Sequence, residues 1–372
     1  MSPRLFASSV IAASIAAASC NTPTPIDRAA VYGEIATNVI APSYAALRSK
    51  AAELSAAAAA YCADPSDVAS FTALRSALDA AHAAYSRTNA FEYSSSPVVT
   101  MLVPVLLDGF PIDAAGVDAL LAGSTPIDFT MQAANVQGFY AAEYLLDSAG
   151  DLASDQARFT DVATGTRRCE VVVSVASRIA FVADAAADVW DPPSDATFGH
   201  QLATAGSPGS AYPTVGTAST DLCMTIHNLA RDLADERLGR PLALLAMGPT
   251  VPDATTVPGR FAHWTKADLL AGLDSIENFY LGRFGDVDGR GMEDIIVSRA
   301  PARDREMKDQ LAATRAAIEA IPGSIDQTIA SNPGSPELVA AFDALKSLQS
   351  LIALGIGPTI AVFSSAFESD GD

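Results

Sequence analysis

Residues Ile40 to Tyr61, IAPSYAALRSKAAELSAAAAAY, decide the fold of this chain. Within them Ile40, Tyr44, Leu47, Ala51, Leu54, Ala58 and Tyr61 recur at alternating intervals of four and three, which places them on one stripe of an α-helix. Alanine fills most other positions; it has the highest helix propensity and lets a neighbouring helix approach closely. The same rhythm returns in Phe71, Leu74, Leu78, Ala81 and Tyr85, in Val172, Val175, Ile179, Val182, Ala186 and Val189, and in Leu222, Ile226, Leu229 and Leu233. The β-branched run Val171 to Val173 is short enough to be carried in a helix by burial. An all-α protein is predicted. Pro42 and Pro358 fall inside helical patterns, and each is expected to kink its helix by removing a backbone donor.

The 372 residues exceed one compact bundle, so two helical-bundle domains are expected. The best boundary lies in Asp191 to Thr220, where two prolines follow Trp190 and the run Gly206-Ser207-Pro208-Gly209-Ser210 breaks any helical period. This gives an N-terminal bundle over 29–195, a linker over 196–216 and a C-terminal bundle over 217–372. A second interruption, Gly248 to Arg260, reads as a loop within the second bundle.

The first nineteen residues read as an export signal: Arg4 supplies the positive region, Leu5 to Ala16 the apolar run, and Ala17-Ala18-Ser19 the small residues before cleavage. Cys20 follows where an acylated lipoprotein cysteine belongs, with residues 20–28 as a tether. Plain secretion with an unmodified Cys20 is the alternative; an uncleaved anchor fits less well, since the apolar run falls short of the ~20 residues a spanning helix needs. Asn21 carries no aspartate-type retention signal, so a periplasmic or outer-membrane face is expected, with the membrane met only through the lipid anchor. Formal charge is −20, and loss of residues 1–19 removes only Arg4. Such an acidic chain is unsuited to nucleic acid or anionic lipid and is ordinarily soluble. In an oxidising compartment Cys62, Cys169 and Cys223 allow at most one intramolecular disulfide, and burial of all three as free thiols stays open. No Cys-x-x-Cys is present.

The stretch richest in chemistry is Gly138-Phe139-Tyr140-Ala141-Ala142-Glu143-Tyr144-Leu145-Leu146. On a helix Tyr140 and Glu143 share one face, and Gly138 opens close approach by another element. Glu143 could accept a hydrogen bond from a ligand or hold a cation, with Tyr140 as donor; equally, both could bond each other or a neighbouring helix. Protease signatures are missing: there is no His-Glu-x-x-His and no Gly-x-Ser-x-Gly, and His82, His200, His227 and His263 are scattered. Surface or helix-cap roles are expected for these histidines. Asp286-Val287-Asp288-Gly289, with Glu293 and Asp294, is half of a calcium loop without its remaining ligands, and reads as a solvated turn.

Gly138 to Leu146 resembles the signature helix of the imelysin family (the M75 peptidase-like proteins), which carries Gly-x-His-x-x-Glu followed by Tyr-Leu-Leu; Tyr140 stands in the place of the histidine. Val31 to Leu54, Ala77 to Pro97, Arg167 to Trp190 and Gly289 to Val297 are similar to further family segments in the same order. Asp232 to Leu242 resembles its Lys-x-x-x-Pro-Leu region, and Phe367 to Asp372 its Asp-Gly-Asp ending. The resemblance covers nearly the whole chain after the leader. It implies two helical bundles, a connection with iron uptake, and a polar pocket between the bundles, for which Arg87, Glu92, Tyr93, Asp370 and Asp372 join Gly138, Tyr140 and Glu143 as ligand-binding candidates. A divalent metal such as iron or zinc is the implied cofactor, with Glu143 as its ligand. A tyrosine must lose a proton of pKa near ~10 to replace imidazole, so weak metal binding is expected, strengthened by Tyr140→His. The reading is a non-catalytic, lipid-anchored envelope protein that binds a ligand or an envelope partner. The alternatives are a metal-dependent M75-type peptidase with no catalytic residues legible here, and a purely structural envelope protein. Mass spectrometry of membrane-extracted protein should find acylated Cys20 as the mature N-terminus; an intact Met1, or cleavage elsewhere without lipid, would refute this.

Overall fold

The structure, a computed structural model, describes residues 26–92, 95–191, 194–195 and 197–362; the leader, Cys20, Tyr93, Asp370 and Asp372 lie outside the described residues. The helices are α1 (Arg28–Ile35), α2 (Ala41–Ala63), α3 (Val68–Ser86), α4 (Pro97–Thr100), α5 (Val103–Leu107), α6 (Ala114–Ala122), α7 (Gly138–Asp147), α8 (Leu152–Thr160) and α9 (Gly165–Asp188). There follow α10 (Phe198–Ala203), α11 (Val215–Ala234), α12 (Thr265–Leu281), α13 (Met292–Arg299), α14 (Pro301–Glu319), α15 (Ile325–Ser331), α16 (Pro336–Leu351) and α17 (Gly357–Thr359). Asp27, Asp67, Asp113 and Asp151 start α1, α3, α6 and α8 by accepting a hydrogen bond from a first-turn amide. The fold is almost entirely helical. Its exception is an antiparallel ribbon, β1 (Arg283–Phe284) on β2 (Val287–Asp288), whose turn falls in the segment expected to be a solvated turn.

The seam predicted from Ile40 to Tyr61 is fully buried in α2, which packs against α3 and α9, while α7 lies on α9 and α3. A second group forms where α16 packs on α14 and α11, and α12 closes against α11 and α14. The two groups meet where α12 lies along α3 and where a 3-10 turn, Asn89–Phe91, packs on α11 and α12. Their buried apolar residues form one continuous core from Val31 to Val362. The segment 196–216, expected as a linker, carries α10 packed on α1 and buries Tyr212. Pro336–Thr359 is apolar and long enough to cross a membrane by length and composition, but its residues Leu338, Ala341, Leu345 and Leu348 are buried in the protein core.

Pro42 and Pro358 stand where the helices change their winding. Each follows a π-helical turn, Ala36–Ile40 and Ile352–Ile356, and a third such turn, Asp235–Gly239, precedes Pro241. A proline ring crowds the carbonyl four residues back and offers it no N–H. Widening the turn lets the residue before each proline reach five residues back instead, as Arg240 does to the Asp235 carbonyl at 2.7 Å.

A disulfide joins Cys62 of α2 to Cys169 of α9, and Cys223 remains a buried thiol whose pKa burial pushes up to about 12. The bridge closes a separation of 107 residues, so Cys62→Ala is expected to cost about 2–5 kcal/mol of stability in denaturant unfolding. Peptide mapping should link Cys62 to Cys169. Labelling of either cysteine without reductant would refute the pairing.

Candidate functional site

Gly138 opens α7 at φ +78°, a left-handed conformation, and a Cβ there would lie 2.6 Å from the carbonyl oxygens of Leu106 and Leu107. The signature helix can therefore begin only on a glycine, pressed against the end of α5. Two residues on, Tyr140 is buried, and its hydroxyl accepts a short hydrogen bond from Nη1 of Arg237, while Nη2 donates to Asp108 Oδ2 at 2.6 Å. Nε of Arg237 lies 3.7 Å from Asp232 Oδ2. Arg237 sits in the π-helical turn before Pro241, where the extra residue per turn re-aims side chains. Burial works against its charge, but Asp108, Tyr140, Asp232 and Asp268 outweigh it and hold the guanidinium well above its ordinary pKa. Tyr140 is pushed up by burial against the pull of Arg237 and stays a neutral phenol.

One turn further along α7, Glu143 is 2% exposed and its Oε1 accepts from the backbone N–H groups of Phe261 and Ala262, both at 2.8 Å. These amides end the 248–260 interruption, so that loop folds back onto the signature helix. Tyr144 meets Phe261 edge-on at 5.6 Å. Burial raises the Glu143 pKa to about 8, against the two amides and with help from Asp147 and Asp268. Beside it His82 stacks on Trp264 at 4.1 Å, with Nδ1 3.2 Å from Asp268 Oδ1. His82 and His227 are buried, correcting the surface or cap role expected for them; His263 pairs its Nδ1 with Asp326 at 2.9 Å.

Asp108 and Glu92, together with residues of α11, line a cavity of about 1240 Å³, and Arg237 lies behind Asp108. Glu92 is raised well above the ordinary carboxylate range, first by burial and then by Asp108, against the Tyr85 hydroxyl. Arg87 goes elsewhere: its Nε faces Asp274 at 3.5 Å on the outer surface. The structure thus joins Tyr140 to Asp108 through Arg237, with Glu92 lining the same cavity as Asp108, and places Glu143 on the neighbouring loop clamp. Sequence reasoning missed Arg237, Asp108, Asp268 and the His82 pair. A signal for Arg237 existed, since it stands four residues before Pro241 in the segment that resembles Lys-x-x-x-Pro-Leu.

These residues do not fit a metal ion. Tyr140, at the histidine position, is neutral and already bound to a cation, and Glu143 is mostly protonated at neutral pH with one oxygen committed to two amides. Among the described residues no three His, Cys, Asp or Glu side chains are grouped to hold a metal. Tyr140→His alone would set an imidazole against the Arg237 guanidinium, an arrangement that does not favour a metal ion.

A helical fold with this signature helix defines the imelysin class. The chain belongs to the imelysin family, peptidase M75, whose profile matches residues 40–352. It is 25% identical over 330 residues to iron-regulated protein A of Synechococcus elongatus, covering 87% of this chain and 84% of that one. Its fold matches a Parabacteroides distasonis structure named as an iron-regulated protein A precursor, with TM-score 0.74, 19% identity, and coverage of 92% of this chain and 97% of the other. An imelysin-like protein from Psychrobacter arcticus matches with TM-score 0.62 and 15% identity over 92% and 99% of the two chains.

Two outcomes follow from the geometry. Arg237→Met strands Asp108 beside Asp232 and is expected to cost about 3–5 kcal/mol in urea unfolding, whereas Tyr140→Phe removes one charged hydrogen bond at about 1.5–3 kcal/mol; an Arg237→Met variant as stable as wild type would refute the arrangement. Because the folded pKa of Glu143 lies above its unfolded value near about 4.3, folding takes up a proton between the two. Its contribution to stability is therefore greatest below the unfolded value and is lost as pH rises to about 8. Glu143→Gln keeps the acceptor oxygen and should match wild type near pH ~4 and exceed it near pH ~9. Parallel stability curves for the two proteins would contradict this.

Proposed function

We propose that this imelysin-family protein is a non-catalytic binding protein of the cell envelope, exported, anchored through a lipid on Cys20, and linked to the response to iron. The observation that carries the reading is the cavity of about 1240 Å³ with a buried ionic lattice behind it: Tyr140, Arg237 and Asp108 hold one another in place and leave the cavity wall pre-formed. Preorganised polar groups in a concave site favour ligand capture. The groups a metallopeptidase would use are instead bonded to an arginine and to backbone amides. The name of the Synechococcus relative supports the iron link. The signal-like leader supports export, and the helix groups on either side of the 3-10 turn Asn89–Phe91 support two bundles with the cavity at their junction.

Thr220 lines the cavity on α11 and makes no long-range side-chain bond among the described residues, so Thr220→Trp obstructs part of the cavity while its helix is retained. Thermal-shift screening with anionic, neutral and cationic small molecules should find compounds that stabilise the wild type and not Thr220→Trp. Compounds that stabilise both equally, or none of any class, would overturn the cavity as the binding site.

A further inference from the structure

We infer that the cavity takes a linear organic polycation, a chain of ammonium groups separated by methylenes; this rests on the cavity being the binding site. Three residues of the cavity lining each hold a buried side-chain oxygen with no hydrogen-bond partner among the described residues: Asn89 Oδ1, Glu92 Oε1 and Asp108 Oδ1. A buried acceptor left without a donor is costly, and three in residues of one lining call for a donor-rich occupant. Asp232 adds a carboxylate from α11.

The distribution of charge selects the shape of that occupant. Among the described residues the carboxylates form no group able to hold a metal ion, and about 1240 Å³ is far more than one ion fills. Between them lie apolar surfaces of Val99, Val105 and Met224, suited to methylene segments. In the lining Glu92, Asp108, Asp221 and Asp232 outnumber Arg231, so the site favours a cation over an anion. The groups facing Glu92 include Tyr44, Tyr85, Asp108, Asp232 and Arg237, and the raised pKa of Glu92 reflects burial and the neighbouring Asp108. An ammonium group placed there favours the carboxylate, so binding should favour release of a proton from Glu92.

The test is titration calorimetry of the full mature protein with spermidine, with hexamethonium as a cation lacking N–H donors and calcium chloride as the metal alone. Spermidine should bind one to one, at least tenfold more tightly than hexamethonium. Glu92→Gln should weaken it about tenfold or more, by the loss of a charged hydrogen bond, and should abolish the proton release seen on comparing buffers of different ionisation enthalpy. Asp232→Asn provides a second variant outside the Arg237–Tyr140 contact, expected to weaken binding in the same sense. The inference is overturned if spermidine gives no saturable heat, if hexamethonium or calcium binds as tightly, or if both variants bind spermidine like wild type. Should neutral or anionic compounds stabilise the wild type and lose that effect in Thr220→Trp while spermidine does not bind, the polycation fails and the cavity reading stands. Absence of any Thr220→Trp-sensitive compound would defeat both.

Discussion

A buried guanidinium is the constraint on which the rest of this structure depends. Arg237 is a charge that cannot be given up, placed where water does not reach, and it must therefore be surrounded by acceptors. Tyr140 from α7 and Asp108 from the end of α5 supply them, and Asp232 from α11 stands behind. Three stretches far apart in sequence are thereby held in one orientation. The acidic lining of the cavity follows from this, because Asp108, held through one oxygen by the arginine, lines it beside Glu92.

The exchange of histidine for Tyr140 takes its meaning from the same contact. An imidazole at that position would offer a nitrogen to a metal; a phenol offers an oxygen to an arginine already present. The cation of this site is part of the chain. Glu143 is bound by the amides of Phe261 and Ala262, and so anchors the 248–260 loop across the top of the signature helix. Burial, with Asp147 and Asp268 nearby, raises its pKa to about 8.

Proline sets the geometry that makes this possible. Among the described residues three π-helical turns each end two residues before a proline, at Pro42, Pro241 and Pro358, and the one before Pro241 carries Arg237 inward. An unbroken α-helix through Asp235–Gly239 would present that side chain at a different angle, since the π turn adds a residue to the helical circuit.

How much of this was legible in the chain itself differs by level. The stripes beginning with Ile40, Phe71, Val172 and Leu222 determined the helices and their buried faces, because a period of 3.6 is a local property that packing only has to accept. Gly138 announced a close approach, and its positive φ beside the Leu106 and Leu107 carbonyls is the physical content of that signal. The prolines marked where helices are disturbed, though local sequence does not say that the disturbance would be a π turn. The site was different. Arg237 pairs with residues 97 and 129 positions away, and Glu143 with amides 118 and 119 positions away. No periodicity spans such separations, so sequence could name Tyr140, Glu143 and Glu92 as polar and interesting without saying what they touch. Tertiary structure alone decided that Tyr140 meets an arginine, that Arg87 turns away to Asp274, and that the two cysteines of α2 and α9 fall within bonding reach. A charge in the interior is tolerable only where distant segments converge to neutralise it, and that convergence is a property of the folded chain.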